Sequence, residues 1–231
     1  MPNPAPMSLI VKICGLSTGE TMDAALDAGA DMVGLVFFPP SPRFLKPADA
    51  RALADRARGR AEIVALTVDM DDDGLAEIAS TVRPAWFQLH GKETPERTAA
   101  IAERFAVKTM KAIHVSTAAD LATGQRYAAS ADRLLLDARP PKGAILPGGN
   151  GAAFDWTILA GYRPAKPYML SGGLDPANVA EAIAVTHAPG VDVSSGVESA
   201  PGRKDPDLIR AFIAAARRAD LAPRLEERAA S

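Results

Sequence analysis

Short aliphatic or β-branched runs recur through the 231-residue chain, roughly every 20 to 35 residues, with helix-like segments between them. This is the rhythm of repeated βα units and of a parallel sheet. Eight candidate strands can be read: Leu9 to Ile13, Met32 to Phe37, Ile63 to Val68, Trp86 to Leu89, Thr109 to Ile113, Arg133 to Asp137, Pro167 to Ser171 and Val191 to Ser194. Helix starts are marked between them. Ser17 and Glu20 have capping-box spacing, while Asp175-Pro176 and Asp205-Pro206 pair an N-cap with a proline at the first helical position. Apolar stripes at helical spacing follow in Ala50, Leu53, Ala54 and Ala57, in Leu75, Ile78, Ala79 and Val82, and in Ile209, Phe212, Ile213 and Ala216.

Eight such units predict an α/β fold of one domain, a closed (β/α)8 TIM barrel over residues 9–218; an open doubly wound sheet is the competing pattern. Residues 1–8 read as a loose N-terminal extension and 219–231 as a C-terminal tail. Composition narrows the partners. The chain is 48% apolar and 23% charged, with a net charge of -2, and so lacks the basic excess that binding a phosphate backbone demands. Charged residues interrupt every apolar run before membrane-spanning length. A single cysteine makes no internal disulfide, no Cys/His spacing suggests zinc, and no charged leader with a cleavage site is visible. The expectation is a cytoplasmic protein, a monomer or weak homodimer, that binds a small molecule and neither nucleic acid nor membrane.

In a barrel the site lies at the carboxyl ends of the strands, with phosphate usually held after strands seven and eight. Two glycine-bearing turns stand at those places. Gly172-Gly173 leads to an Asp-Pro start, and Ser194-Ser195-Gly196 follows the last strand. Backbone N–H groups exposed there bind anions, although glycine also serves tight turns in general. Cys14 ends the first run. A lone cysteine is often a small buried hydrophobe, but the two-residue period puts Ile10, Lys12 and Cys14 on one face, aiming the thiol into the mouth. A basic role for it needs positive charge nearby.

Asp137 closes an otherwise aliphatic strand. A structural ion pair is the plain alternative; at the mouth, a carboxyl that keeps its proton can donate one. Lys12 and Asp192 face inward on strands that close against each other, which predicts a buried ion pair below the site. Arg43 sits in the proline-stiffened loop Phe37 to Arg43, a candidate carboxylate clamp whose planar fork suits that ligand. His90, in Gln88-Leu89-His90-Gly91, either contacts ligand or caps its strand. The stretch Arg139 to Phe154, rich in Pro and Gly, is long enough to be slack or a lid, and the lid is favoured because Asp137 sits at its root.

Taken together, Lys12 to Leu16, Gly34 to Arg43, Gln88 to Gly91, Leu135 to Asp137, Ser171 to Leu174 and Val191 to Glu198 resemble the phosphoribosylanthranilate isomerase family, in order and spacing, over roughly Leu9 to Arg218. The resemblance implies a TIM barrel that performs an Amadori rearrangement in tryptophan biosynthesis with no cofactor and no metal. It implies Cys14 as general base and Asp137 as general acid. It further implies Arg43, Gln88, His90 and Asp192 at the substrate, and Gly172, Gly173, Ser194, Ser195 and Gly196 at the phosphate. Ser17 and Phe38 depart from the threonine and tyrosine frequent in the family. Two rivals remain: another phosphosugar isomerase barrel, such as the histidine-pathway enzyme that uses two aspartates, and a non-catalytic phosphosugar-binding barrel.

Overall fold

The computed structural model describes residues 8–140, 143–144, 146–149, 151 and 153–229. Apart from Ser8, the expected N-terminal extension lies outside the described residues. Eight strands, β1 (Ile10–Cys14), β2 (Met32–Val36), β3 (Glu62–Thr67), β4 (Trp86–Leu89), β5 (Lys108–Val115), β6 (Arg133–Ala138), β7 (Tyr168–Leu170) and β8 (Gly190–Val193), pair in parallel around a closed barrel in chain order. The closing seam sets Lys12 of β1 against Asp192 of β8. This excludes the open sheet.

Among the described residues, seven α-helices accompany the strands: α1 (Gly19–Asp27), α2 (Pro47–Ala57), α3 (Asp72–Thr81), α4 (Pro95–Phe105), α5 (Leu121–Gln125), α6 (Val179–Thr186) and α7 (Pro206–Ala229). Among the described residues after β6, a 3-10 turn, Trp156–Leu159, stands where a helix was expected. Gly161, Pro164 and Pro167 crowd the segment that follows and stop a longer helix. The helix stripes pack as their spacing predicts. Ala50, Leu53, Ala54 and Ala57 are buried, as are Leu75, Ile78 and Val82, and Ile209, Phe212, Ile213 and Ala216. No helix among the described residues is long and apolar enough to cross a membrane.

Three local readings change. The α1 cap is Thr18, whose Oγ1 accepts the N–H of Thr21 at 3.3 Å, rather than Ser17. The chain is still extended at Thr18, so the cap falls one residue later. Asp175 accepts from the N–H groups of Ala177 and Asn178 at 2.7 and 3.0 Å, capping a turn that precedes α6 rather than α6 itself. The segment from 219, expected as a loose tail, continues α7 to Ala229. Its Ala, Leu, Arg and Glu residues are strong helix formers, so the helix outlasts the buried stripe that suggested its end.

Strand parity divides the core in two. Met32, Val64, Trp86, Met110, Ala112, Leu135 and Met169 fill the barrel interior, while the alternate residues meet the helices in a larger outer shell. The same alternation carries Cys14, His114 and Asp137 inward at the carboxyl end of the barrel.

Candidate active site

Above the interior core the barrel opens into a cleft of about 750 Å³, counted out to its mouth. Cys14, Arg43, Gln88, His90, Asp137, Gly172, Gly173, Asp192, Ser194 and Ser195 all line it. Of the residues expected at the catalytic pair, the substrate and the phosphate, Gly196 alone is absent from the lining. It presses on the Leu174 carbonyl at a distance that no Cβ would permit, which clamps the turn after β8 against the turn after β7. Gly172 and Gly173 have φ of +86° and +68°, a left-handed backbone that side chains resist. A Cβ on Gly173 would also strike Ala153 at 2.6 Å.

Below the mouth, Lys12 Nζ donates to Asp192 Oδ1 at 2.7 Å, both side chains being almost fully buried. The Ser171 hydroxyl donates to the other oxygen, Oδ2, at 3.2 Å. The expected ion pair is therefore present, and the Asp192 carboxylate is engaged by protein on both oxygens although it borders the cleft. Burial works against the charge on Lys12, yet Asp192 and, to a lesser degree, Cys14 outweigh it and hold the ammonium above the ordinary lysine range.

Cys14 is buried. Gly34 on β2 gives its sulfur room, because a Cβ there would come within 2.8 Å of Sγ. Burial pushes the thiol above its ordinary value, and Lys12 and Lys204 recover only part of that rise. The resting side chain at neutral pH is the thiol. Across the cleft, Asp137 Oδ2 lies 3.2 Å from His90 Nε2, and its Oδ1 accepts the N–H of Ala138 at 3.0 Å. His90 Nδ1 is in turn 3.0 Å from the Gln88 amide nitrogen. Gln88 thus orients the imidazole that meets Asp137.

Arg43 is buried and does not wait free for a ligand. Its Nε and Nη2 donate to the two carboxylate oxygens of Glu198 at 2.7 and 2.8 Å, and Nη2 also reaches the Gly149 carbonyl at 3.3 Å. Lys204 Nζ donates to the same Glu198 at 2.7 Å, to the Ser194 carbonyl at 2.8 Å and to the Ser194 hydroxyl at 3.2 Å. Burial alone would raise the Glu198 carboxyl, but the two cations hold it below the usual carboxylate range. Glu198 and Lys204 were not singled out in the sequence as site residues.

A second buried pair supports the β4 end. Lys111 Nζ donates to Glu93 at 2.8 Å and to the carbonyls of Leu89 and Gly91 at 3.1 and 2.7 Å. Those carbonyls flank His90. From above, Leu146 to Gly149 of the long loop border the cleft, and a Cβ on Gly148 would sit 2.5 Å from Asp137 Oδ2. Pro141, Lys142, Ile145, Asn150 and Ala152, part of the expected lid, lie outside the described residues.

A closed (β/α)8 barrel with a thiol, a carboxyl and glycine turns gathered at the carboxyl ends of its strands has the architecture of the phosphosugar-handling barrel enzymes. Residues 11–215 match the family model described as N-(5'phosphoribosyl)anthranilate (PRA) isomerase. The chain belongs to that family. It is 60% identical over 218 residues to the N-(5'-phosphoribosyl)anthranilate isomerase of Afipia carboxidovorans, spanning 94% of this chain and 93% of that one. The solved phosphoribosyl anthranilate isomerase of Thermotoga maritima superposes with a TM-score of 0.82 at 38% identity, covering 90% of this chain and 98% of that one. A further solved phosphoribosyl anthranilate isomerase, in complex with reduced 1-(o-carboxyphenylamino)-1-deoxyribulose 5-phosphate, gives 0.79 at 37% identity, with the same coverage.

Proposed function

We propose that the chain converts N-(5'-phosphoribosyl)anthranilate, an aminoaldose, into 1-(2-carboxyphenylamino)-1-deoxyribulose 5-phosphate, in tryptophan biosynthesis. The observation that carries the reading is one cleft bordered by a thiol from β1, a carboxyl from β6 and two abutting glycine turns. Asp137 gives a proton to the ribose ring oxygen as the bond from that oxygen to C1 breaks, and the anthranilate nitrogen lone pair forms the iminium. Cys14 then takes the proton from C2. The released electron pair becomes the C1–C2 double bond, the nitrogen recovers its lone pair, and the enolamine tautomerises to the ketone. Because the iminium is the electron sink, the rearrangement asks nothing of a cofactor. Each positioned acid or base supplies about 10² to 10⁴ in rate.

The turns at Gly172-Gly173 and Ser194 to Gly196 hold the phosphate, with the Lys204 ammonium behind Ser194 favouring its charge. Glu198 occupies the Nε–Nη2 edge of Arg43, and the Nη1 side is offered to the anthranilate carboxylate. Gln88 and His90 keep Asp137 in place, Asp192 keeps Lys12 charged beneath Cys14, and the loop over Asp137 excludes water as a lid.

The direct test generates the unstable substrate in situ and follows loss of anthranilate fluorescence on adding purified protein. A rate no faster than the spontaneous reaction sinks the proposal. The raised Cys14 thiol adds a signature. The rate at which a small alkylating reagent modifies this single cysteine in the free enzyme should climb about tenfold per pH unit through neutrality, and level off only above the ordinary thiol pKa of about 8.5. A plateau already reached at pH 7 would mean a resting thiolate and would overturn the raised thiol.

A further inference from the structure

Three successive strands deliver imidazole, imidazole and carboxylate to one spot. His90 follows the last residue of β4, while His114 and Asp137 are the penultimate residues of β5 and β6 and face each other in register. One ligand atom from each of the three lies within 4.8 Å of the others, and the two rings are 5.7 Å apart between centroids. A tetrahedral dication with bonds of about 2.0 to 2.1 Å wants ligand atoms roughly 3.3 Å apart. The closest pair, His90 Nε2 and Asp137 Oδ2, is already at 3.2 Å.

Two buried atoms have no hydrogen-bond partner beside this cluster: Nδ1 of His114 and Oε1 of Gln88. Exchanging the two ends of the Gln88 amide lets Oε1 accept from His90 Nδ1–H and so satisfies the stranded oxygen. His90 Nε2 then carries a bare lone pair aimed at the Asp137 carboxylate. While Asp137 holds its proton that contact is a hydrogen bond; with the proton gone, two acceptors face each other and a dication between them satisfies both. Gln88 would meanwhile hold the outer nitrogen of the ring, the usual arrangement behind a metal-bound histidine.

We propose that His90, His114 and Asp137 form a binding site for a zinc-class divalent ion, and that the ion inhibits the enzyme by occupying the Asp137 carboxylate. Two imidazoles with one carboxylate select such an ion over Mg²⁺ or Ca²⁺. The inhibitory half rests on Asp137 as the proton donor; the binding half does not.

Calorimetric titration of chelator-treated protein with Zn²⁺, and separately with Mg²⁺, tests both. One equivalent of Zn²⁺ should bind and Mg²⁺ should not. His114→Ala should weaken zinc at least tenfold while zinc-free turnover stays within about twofold, and Cys14→Ser should leave zinc affinity unchanged. Zinc should stop turnover of the unaltered protein at the occupancy the titration gives. Absence of saturable binding, indifference to His114→Ala, or loss of binding in Cys14→Ser would overturn the site. Zinc held at the site with turnover unaffected would overturn the inhibitory half and, with it, Asp137 as the acid.

Discussion

Cys14→Ser and Asp137→Asn should each lower turnover at least about a hundredfold while leaving affinity for a product analogue within about tenfold. Neither change removes a group that holds the ligand's anionic ends. Serine keeps the place and nearly the size that Gly34 leaves for the Cys14 sulfur, but its hydroxyl gives up a proton far less readily than a thiol. Asparagine keeps the outline of Asp137 and a partner for His90 at the 3.2 Å contact, but has no acidic proton to pass to the ring oxygen. Steady-state kinetics beside calorimetry of the analogue separates the two effects. Unchanged turnover in either variant refutes the role given to that residue, and a loss confined to affinity would recast both as ligand contacts.

The largest stability effect is expected below the site. Asp192→Ala should cost about 3 to 5 kcal/mol, because it strands a fully buried ammonium rather than merely deleting a contact. Lys12 has 0% exposure and its amino group is 2.7 Å from Asp192; the Ser171 hydroxyl would lose its acceptor as well. Replacing both charges together, Lys12→Met with Asp192→Leu, should recover most of that loss, since an apolar pair of similar volume strands no charge and leaves only the Ser171 hydroxyl without its acceptor. Urea midpoints for the single and double variants decide it. A single-variant loss under about 1 kcal/mol would show that water reaches the ammonium, and a double variant no better than the single would show that the stranded charge is not what costs stability.

Much of this was legible in the residues. Eight aliphatic runs correspond to eight strands, with ends that agree to within two residues, because burial on both faces writes a continuous apolar signal. Parity places Lys12, Cys14 and Asp192 inward without further help, and Asp137 stands out as a carboxylate closing an aliphatic strand. His114 escaped because the fifth run ends at Ile113; β5 continues to Val115, held by its ladder to β6, and the polar His114 interrupts an apolar signal that Val115 alone resumes. Its cluster with His90 and Asp137 escaped for a related reason. Zinc motifs are recognised by short spacings, whereas here the ligands are one whole βα unit apart and only the barrel makes them neighbours. Glu198 and Lys204 lie beyond the last barrel strand, on a two-stranded antiparallel ribbon of Glu198–Ala200 and Arg203–Lys204, where a charge reads as solvated surface. Nothing local says that Glu198 meets Arg43 across 155 positions.

That one glutamate grips the arginine and, through Lys204, the serine turn. The two ends of the cleft are therefore the jaws of a single caliper whose gap neither jaw sets alone. Molecules would be sorted by span, and a lineage seeking to admit a longer or shorter one would have to move both jaws at once.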